Sequence, residues 1–154
     1  MVGSQVFPCA LGRCVISSNK REGDGATPLG AMRILSGYFR EDRVAARRTL
    51  LGMTAISNDL GWCDAPQDRN YNSPVRIPYG AAHETMRRDD RLYDYCLVLD
   101  WNLVPRKRWR GSAIFFHLAR PGFTPTQGCV AVTARVMARL LPLLSRHTVL
   151  QMLR

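Results

Sequence analysis

No stretch of this 154-residue chain approaches the ~20 consecutive apolar residues that a membrane-spanning helix needs. The nearest, Leu140 to Leu153, is interrupted by Pro142, Arg146 and His147, which excludes a spanning helix and predicts a soluble protein. Acidic residues are few, 12 against 22 Lys+Arg, for a net charge of +10. Lysine is scarcer still, found only at positions 20 and 107, so arginine carries almost all of the positive charge. The sequence has no His-Glu-x-x-His pattern and no second close cysteine pair beside Cys9 and Cys14, so nothing argues for a zinc centre. Repeats, low-complexity tracts and linkers are missing, and one domain over residues 1–154 is expected. The start, MVGSQVFPCALGRCVISS, lacks a charged segment leading into a long apolar core, so no ordinary secretory leader is read in these residues.

What is present is an ordinary globular composition, with 46% hydrophobic and 22% charged residues. An arginine-rich surface suits bidentate contact with carboxylates or phosphates, so an anionic partner is implied. The arginine pairs, such as Arg47-Arg48 and Arg87-Arg88, are scattered and form no aromatic-basic stripe of the kind nucleic-acid modules carry. The cysteine count of five is odd, so any pairing among Cys9, Cys14, Cys63, Cys96 and Cys129 leaves a free thiol.

Short apolar runs between turn signals predict strands at Val6 to Leu11, Cys14 to Ser17, Ala31 to Phe39, Leu92 to Trp101, Gly111 to Ala119, Cys129 to Val132 and Thr148 to Leu153. In SAIFFHLA the apolar residues are consecutive, as in a strand covered on both faces. One helix is predicted, from Thr133 to about Leu141, with Thr133 as its cap and Val136, Met137, Leu140 and Leu141 on one face until Pro142 ends it.

The stretch IFFHLARPGFTPTQGCV sets His117 at the end of the apolar strand and Cys129 directly behind Gly128. A thiol becomes a strong nucleophile when a neighbouring imidazole takes its proton, and adjacent strands can bring the two together. Glycine permits a tight turn that aims backbone amides at a developing oxyanion, and Thr126 can fasten that turn through its own backbone. Spacing alone leaves two readings open, a reactive pair or two packed core residues. The loop EGDGATPLG, Glu22 to Gly30, lacks the Lys-Ser/Thr of a phosphate loop and carries Glu22 and Asp24, so it reads as a turn into the next strand. Trp62, Tyr71, Tyr79 and Trp101 read as packing residues, and His83 as an exposed loop residue of open role.

Taken together and in order, KREGDGATPLG (Lys20 to Gly30), GSAIFFH (Gly111 to His117) and PTQGCV (Pro125 to Val130) resemble the YkuD-type L,D-transpeptidases of bacterial cell-wall synthesis. GWCDAPQDRNYNSPV, Gly61 to Val75, is similar to the compact single-domain proteobacterial members. The resemblance implies a mainly β, mixed sandwich or barrel-like catalytic domain with one main helix after the catalytic cysteine. It implies Cys129 as nucleophile, His117 of near-neutral pKa as general base, and the amides around Gly128 and Cys129 as an oxyanion hole. Thr126, Gln127, Trp62, His83 and Arg120 are the residues expected at the substrate. The substrate would be a peptidoglycan stem peptide, with a second stem as acceptor, in a 3,3 or a 1,3 cross-link. No metal or cofactor is required, carbapenems are expected covalent inhibitors, and a periplasmic or cell-wall-associated monomer is expected. Leu118 and Ala131 stand where the family commonly has glycine and arginine, which bears on how substrate is anchored. A stem-peptide carboxypeptidase or endopeptidase, or a basic nucleic-acid-binding protein without enzymatic activity, are the alternatives.

Overall fold

The computed structural model describes residues 5–153; Met1 to Ser4 of the N-terminal stretch read above lie outside that range. The protein is mainly β, with a single α-helix among the described residues. No helix of those residues is long and apolar enough to cross a membrane. Two short strands, β1 (Ile16–Ser17) and β2 (Thr27–Pro28), pair in parallel ahead of the long β3 (Gly30–Phe39). There follow β4 (Met53–Ala55), β5 (Leu60–Cys63), β6 (Ser73–Arg76), β7 (His83–Thr85), β8 (Tyr95–Leu99), β9 (Phe115–Leu118), β10 (Val130–Val132), the helix α1 (Ala134–Leu140) and β11 (Val149–Met152).

The main sheet runs β10-β9-β8-β3-β11, with β4 beside the far half of β3. It is mixed: β10 lies parallel to β9, β4 parallel to β3, and the remaining pairs are antiparallel. A smaller antiparallel sheet, β6-β5-β7, packs over one face. The helix covers the other.

Period-two alternation sorts the residues of the central strands between these layers. Leu97 and Leu99 of β8, Phe116 and Leu118 of β9, and Val130 and Val132 of β10 point into the core under α1. Cys96, Val98 and Phe115 point the opposite way, to Trp62, Met86 and Tyr93 below the small sheet. Both faces are therefore dry, which is why FFHL reads as an unbroken apolar run. Thr133 caps α1 by accepting the Val136 N–H at 3.3 Å, and Val136, Met137 and Leu140 are its buried side. Burying each such side chain stabilises by about 1.5–3 kcal/mol.

Several predicted strands are shorter than their apolar runs. Gly111 to Ala119 yields only β9, because Ala113 takes a left-handed φ of 49° that no strand accommodates. Val6 to Leu11 is not a strand. Pro8 removes a ladder donor, and the segment instead borders β10 through paired bonds between Ala10 and Ala131 at 2.8 and 2.9 Å. All five cysteines are free thiols; Cys9 and Cys14 are exposed, and the other three are buried.

Candidate active site

The register of β9 and β10 sets His117 beside Ala131, and Cys129 two residues earlier lies diagonally across from the histidine on the same sheet face. Strand spacing of ~4.8 Å and a rise of ~3.3 Å per residue put the two Cα atoms about 8 Å apart, within reach of an imidazole and a thiol directed into the same space. Both side chains line one cleft of about 350 Å³, with Thr126, Gln127, Arg120 and Tyr93 also on its walls.

Each of the two side chains is held by backbone. The His117 Nδ1 lies 2.8 Å from the Leu118 carbonyl, a contact that requires the proton on Nδ1 and leaves Nε2 as the bare, basic nitrogen. Tyr93 meets the imidazole edge to face at 5.3 Å between ring centroids. Tyr93 is in turn clamped by its hydroxyl donating to Glu84 at 3.3 Å and by the Arg88 guanidinium 5.1 Å above its ring. The Cys129 thiol donates to the Ala113 carbonyl at 3.2 Å and accepts the Phe115 N–H at 3.4 Å. No hydrogen bond joins sulfur to imidazole among the described residues.

Burial governs the protonation of both groups. Desolvation pushes the Cys129 thiol up to about 12, against the opposing pull of the Phe115 N–H and the Lys20 and Arg88 charges. It pushes His117 down to about 4, only partly offset by the bond to the Leu118 carbonyl. The near-neutral imidazole expected from the resemblance is thus corrected. Both shifts favour the neutral thiol and the neutral imidazole over a thiolate and an imidazolium.

The turn before the cysteine is built around Thr126. Its hydroxyl accepts the Gly128 N–H at 3.1 Å and donates to the Cys129 carbonyl at 2.7 Å. Gly128 has a φ of 132°, and a Cβ there would sit 2.8 Å from the Ala26 carbonyl oxygen, so only glycine fits. Because Thr126 occupies the Gly128 amide, the expected pair of oxyanion donors changes. The amides of Gln127 and Cys129 are the ones without a bond among the described residues.

The remaining predicted positions separate. Gln127 and Arg120 lie at the cleft, Arg120 tied to Asp90 at 3.3 Å. Trp62 does not line it. Its indole is 4% exposed, packs edge-on against Phe115 at 5.1 Å, and donates to the Asn72 carbonyl oxygen at 2.9 Å. His83 is no loop residue: it belongs to β7, is half-buried, and turns away from the cleft toward Tyr79, with Nδ1 2.7 Å from the Ala81 carbonyl. The neighbouring Glu84, on the opposite face of β7, is the residue that lines the cleft.

Several cleft residues escaped the sequence reading. Lys20 is 2% exposed and lines the cleft with its ammonium bound to Asp24 at 2.5 Å and to the Arg21 carbonyl at 2.7 Å. Partial burial would raise the Asp24 carboxyl, but Lys20 and the Ala26 and Arg21 amides hold it below its ordinary value. Asn72 is the hidden connector: its carbonyl oxygen accepts both the Trp62 indole and the Ala113 N–H, at 2.9 and 3.0 Å. Its amide donates to the Trp101 and Asn102 carbonyls. The small sheet thereby fixes Ala113, whose carbonyl receives the Cys129 thiol.

Among models of known families, the one described as the L,D-transpeptidase catalytic domain, YkuD, matches residues 3–151. No curated protein and no solved structure matches the chain.

Proposed function

Since this chain belongs to the YkuD family of L,D-transpeptidase catalytic domains, cysteine-dependent enzymes acting on peptidoglycan, we propose that it cross-links peptidoglycan stem peptides by acyl transfer through Cys129. The observation that carries the reading is the presence of a thiol and a base-competent imidazole on one face of two adjacent strands, in one open cleft.

The thiol and imidazole act by general-base catalysis. As sulfur attacks the carbonyl of the third stem residue, its proton passes to His117 Nε2, so the energetically unfavourable ion pair need never accumulate. The oxyanion is received by the Gln127 and Cys129 amides. Collapse forms the thioester and breaks the bond to the terminal D-alanine, whose nitrogen takes the proton back from the imidazolium. An amine from a second stem then attacks the thioester, the carbon–sulfur bond breaks, and the thiol is restored.

Thr126 and Gly128 shape the turn that presents the sulfur, and Arg120 and Gln127 at the cleft wall contact the donor stem. Action at the periplasmic face of the wall, and inhibition by carbapenems through acylation of Cys129, follow from the same chemistry. Incubation of the purified protein with defined tetrapeptide muropeptides tests it. Dimers containing an L,D-linkage are the expected product; trimmed monomers alone would replace the transferase with a hydrolase, and unchanged substrate would remove both.

A further inference from the structure

The cleft wall carries carboxylates that its basic residues do not all answer. The chain has a net charge of +10, yet Glu22, Asp64 and Glu84 all line this cavity. Their partners differ. Glu84 is answered by the Arg88 guanidinium at 2.5 Å. Glu22 receives only the neutral phenol of Tyr71. Neither Glu22 nor Asp64 forms an ion pair among the described residues. Lys20, a buried cation on the wall, is already committed to Asp24.

Two polar side-chain atoms of cleft-lining residues are buried and unpartnered: Asp64 Oδ1 and the hydroxyl of Ser112. Ser112 is 7% exposed and lines the same cavity. Buried acceptors left this way are rare in folded proteins and mark the place of a missing donor. Burial, and then the charges of Glu22 and Glu84, raise the Asp64 carboxyl above its ordinary value, a repulsion that an incoming cation would relieve.

The chemistry of the cation follows from the spread of the acceptors. No three His, Cys, Asp or Glu side chains among the described residues converge tightly enough to hold a metal ion. A primary ammonium has three N–H donors that diverge from one nitrogen, and two carboxylates and a hydroxyl supply acceptors of that number and type. We propose that Glu22, Asp64 and Ser112 form a binding subsite for a primary alkylammonium group. On the cell-wall reading given above, on which the identity of the natural ligand rests, this group is an amine of a stem peptide. It comes either from the acceptor that resolves the thioester or from the side chain of the donor's third residue.

The test uses the full chain carrying Cys129→Ala, so that binding is read without turnover, with 1-pentylammonium as probe and 1-pentanol as the uncharged control. Titration followed by amide chemical shifts should move Asp64 and Ser112 with the ammonium and not with the alcohol. Asp64→Asn should weaken binding at least fivefold, and Ser112→Ala by a smaller factor, whereas Asp59→Asn on the surface leaves it unchanged. Equal binding by wild-type and Asp64→Asn sequences, or no shift at Ser112, overturns the subsite.

Kinetics on proteins retaining Cys129 separate the sources. If the ammonium is the acceptor's, Asp64→Asn slows resolution of the acyl-enzyme more than its formation. If it is the donor's, formation slows more, and N-acetylating that side chain abolishes the difference between wild type and variant. Acylation of wild-type Cys129 by a carbapenem, read by intact mass, tests the cell-wall reading on its own, and its failure would leave the pentylammonium result standing.

Discussion

Both sheets contribute side chains to the cleft, and they differ in burial and polarity. The central strands β8, β9 and β10 of the main sheet are buried on both faces and read as apolar runs, and the sheet brings His117 and Cys129 together through one register, β9 against β10. The small sheet is built from LGWC, SPVR and HET, carries Glu84 on β7 and Asp64 just beyond β5, and supplies charge rather than reactivity. Rigid, dry strands raise the cost of ionising a thiol or an imidazole. Short polar strands can present carboxylates to a solvent-filled space. On the proposed function, the difference puts acyl chemistry on one wall and recognition on the other.

The division is sharpest if the two buried thiols facing His117 behave differently. Cys96 lies directly opposite His117 in β8 yet is fully buried and absent from the cleft wall, whereas Cys129 lines it. Cys129→Ala should abolish cross-linking to the background of the assay, while Cys96→Ala retains it within a few-fold. Loss in both variants would place the chemistry elsewhere in the core.

His117→Gln should lower the rate of acyl-enzyme formation by about 10²–10⁴, the usual contribution of a positioned base. Wild-type activity should persist at pH 5 and fall as pH drops through about 4, where the imidazole takes up a proton. The variant should lack this limb. Stability shifts in the same direction. The folded imidazole titrates below its ordinary value of 6.5, so the unfolded chain binds the proton first, and the His117 contribution is lost as pH falls from about 6.5 to about 4. An acid limb near 6.5 would contradict a desolvated base.

Asn72 joins the two regions, so its removal measures their coupling. Asn72→Ala leaves the Trp62 and Ala113 N–H groups and two carbonyls without partners, at about 1–3 kcal/mol for a buried group. A loss of about 3 kcal/mol in denaturant unfolding is expected, together with slower acylation, because Ala113 holds the thiol. Thr133→Ala touches only the helix behind the main sheet and should cost about 1 kcal/mol with little change in activity. If the helix cap altered catalysis as much as Asn72 does, the proposed separation of roles would fail.

Legibility in the sequence followed the same boundary. Consecutive apolar residues revealed β8 and β9, and the Thr133 cap with its apolar face revealed α1, because these features are local. The Gly-Cys turn and Thr126 were legible for the same reason. The strands β5, β6 and β7 have too few apolar residues for a period, and they exist through pairing with distant segments and burial of Trp62 against Phe115. His83 drew notice as a chemical residue type. The one-residue alternation of β7 sends its neighbour Glu84 into the cleft instead, which no reading without a register could decide. Lys20, Asp64, Asn72 and Ser112 act through contacts across the fold, so their part emerged only with coordinates.

The account stands most directly on where a donor peptide becomes attached. Intact-mass measurement after brief incubation with a stem tetrapeptide, followed by peptide mapping, should find a tripeptide acyl adduct on Cys129 and on no other thiol. An adduct on Cys96, or a fully turned-over substrate with Cys129 replaced by alanine, would contradict it.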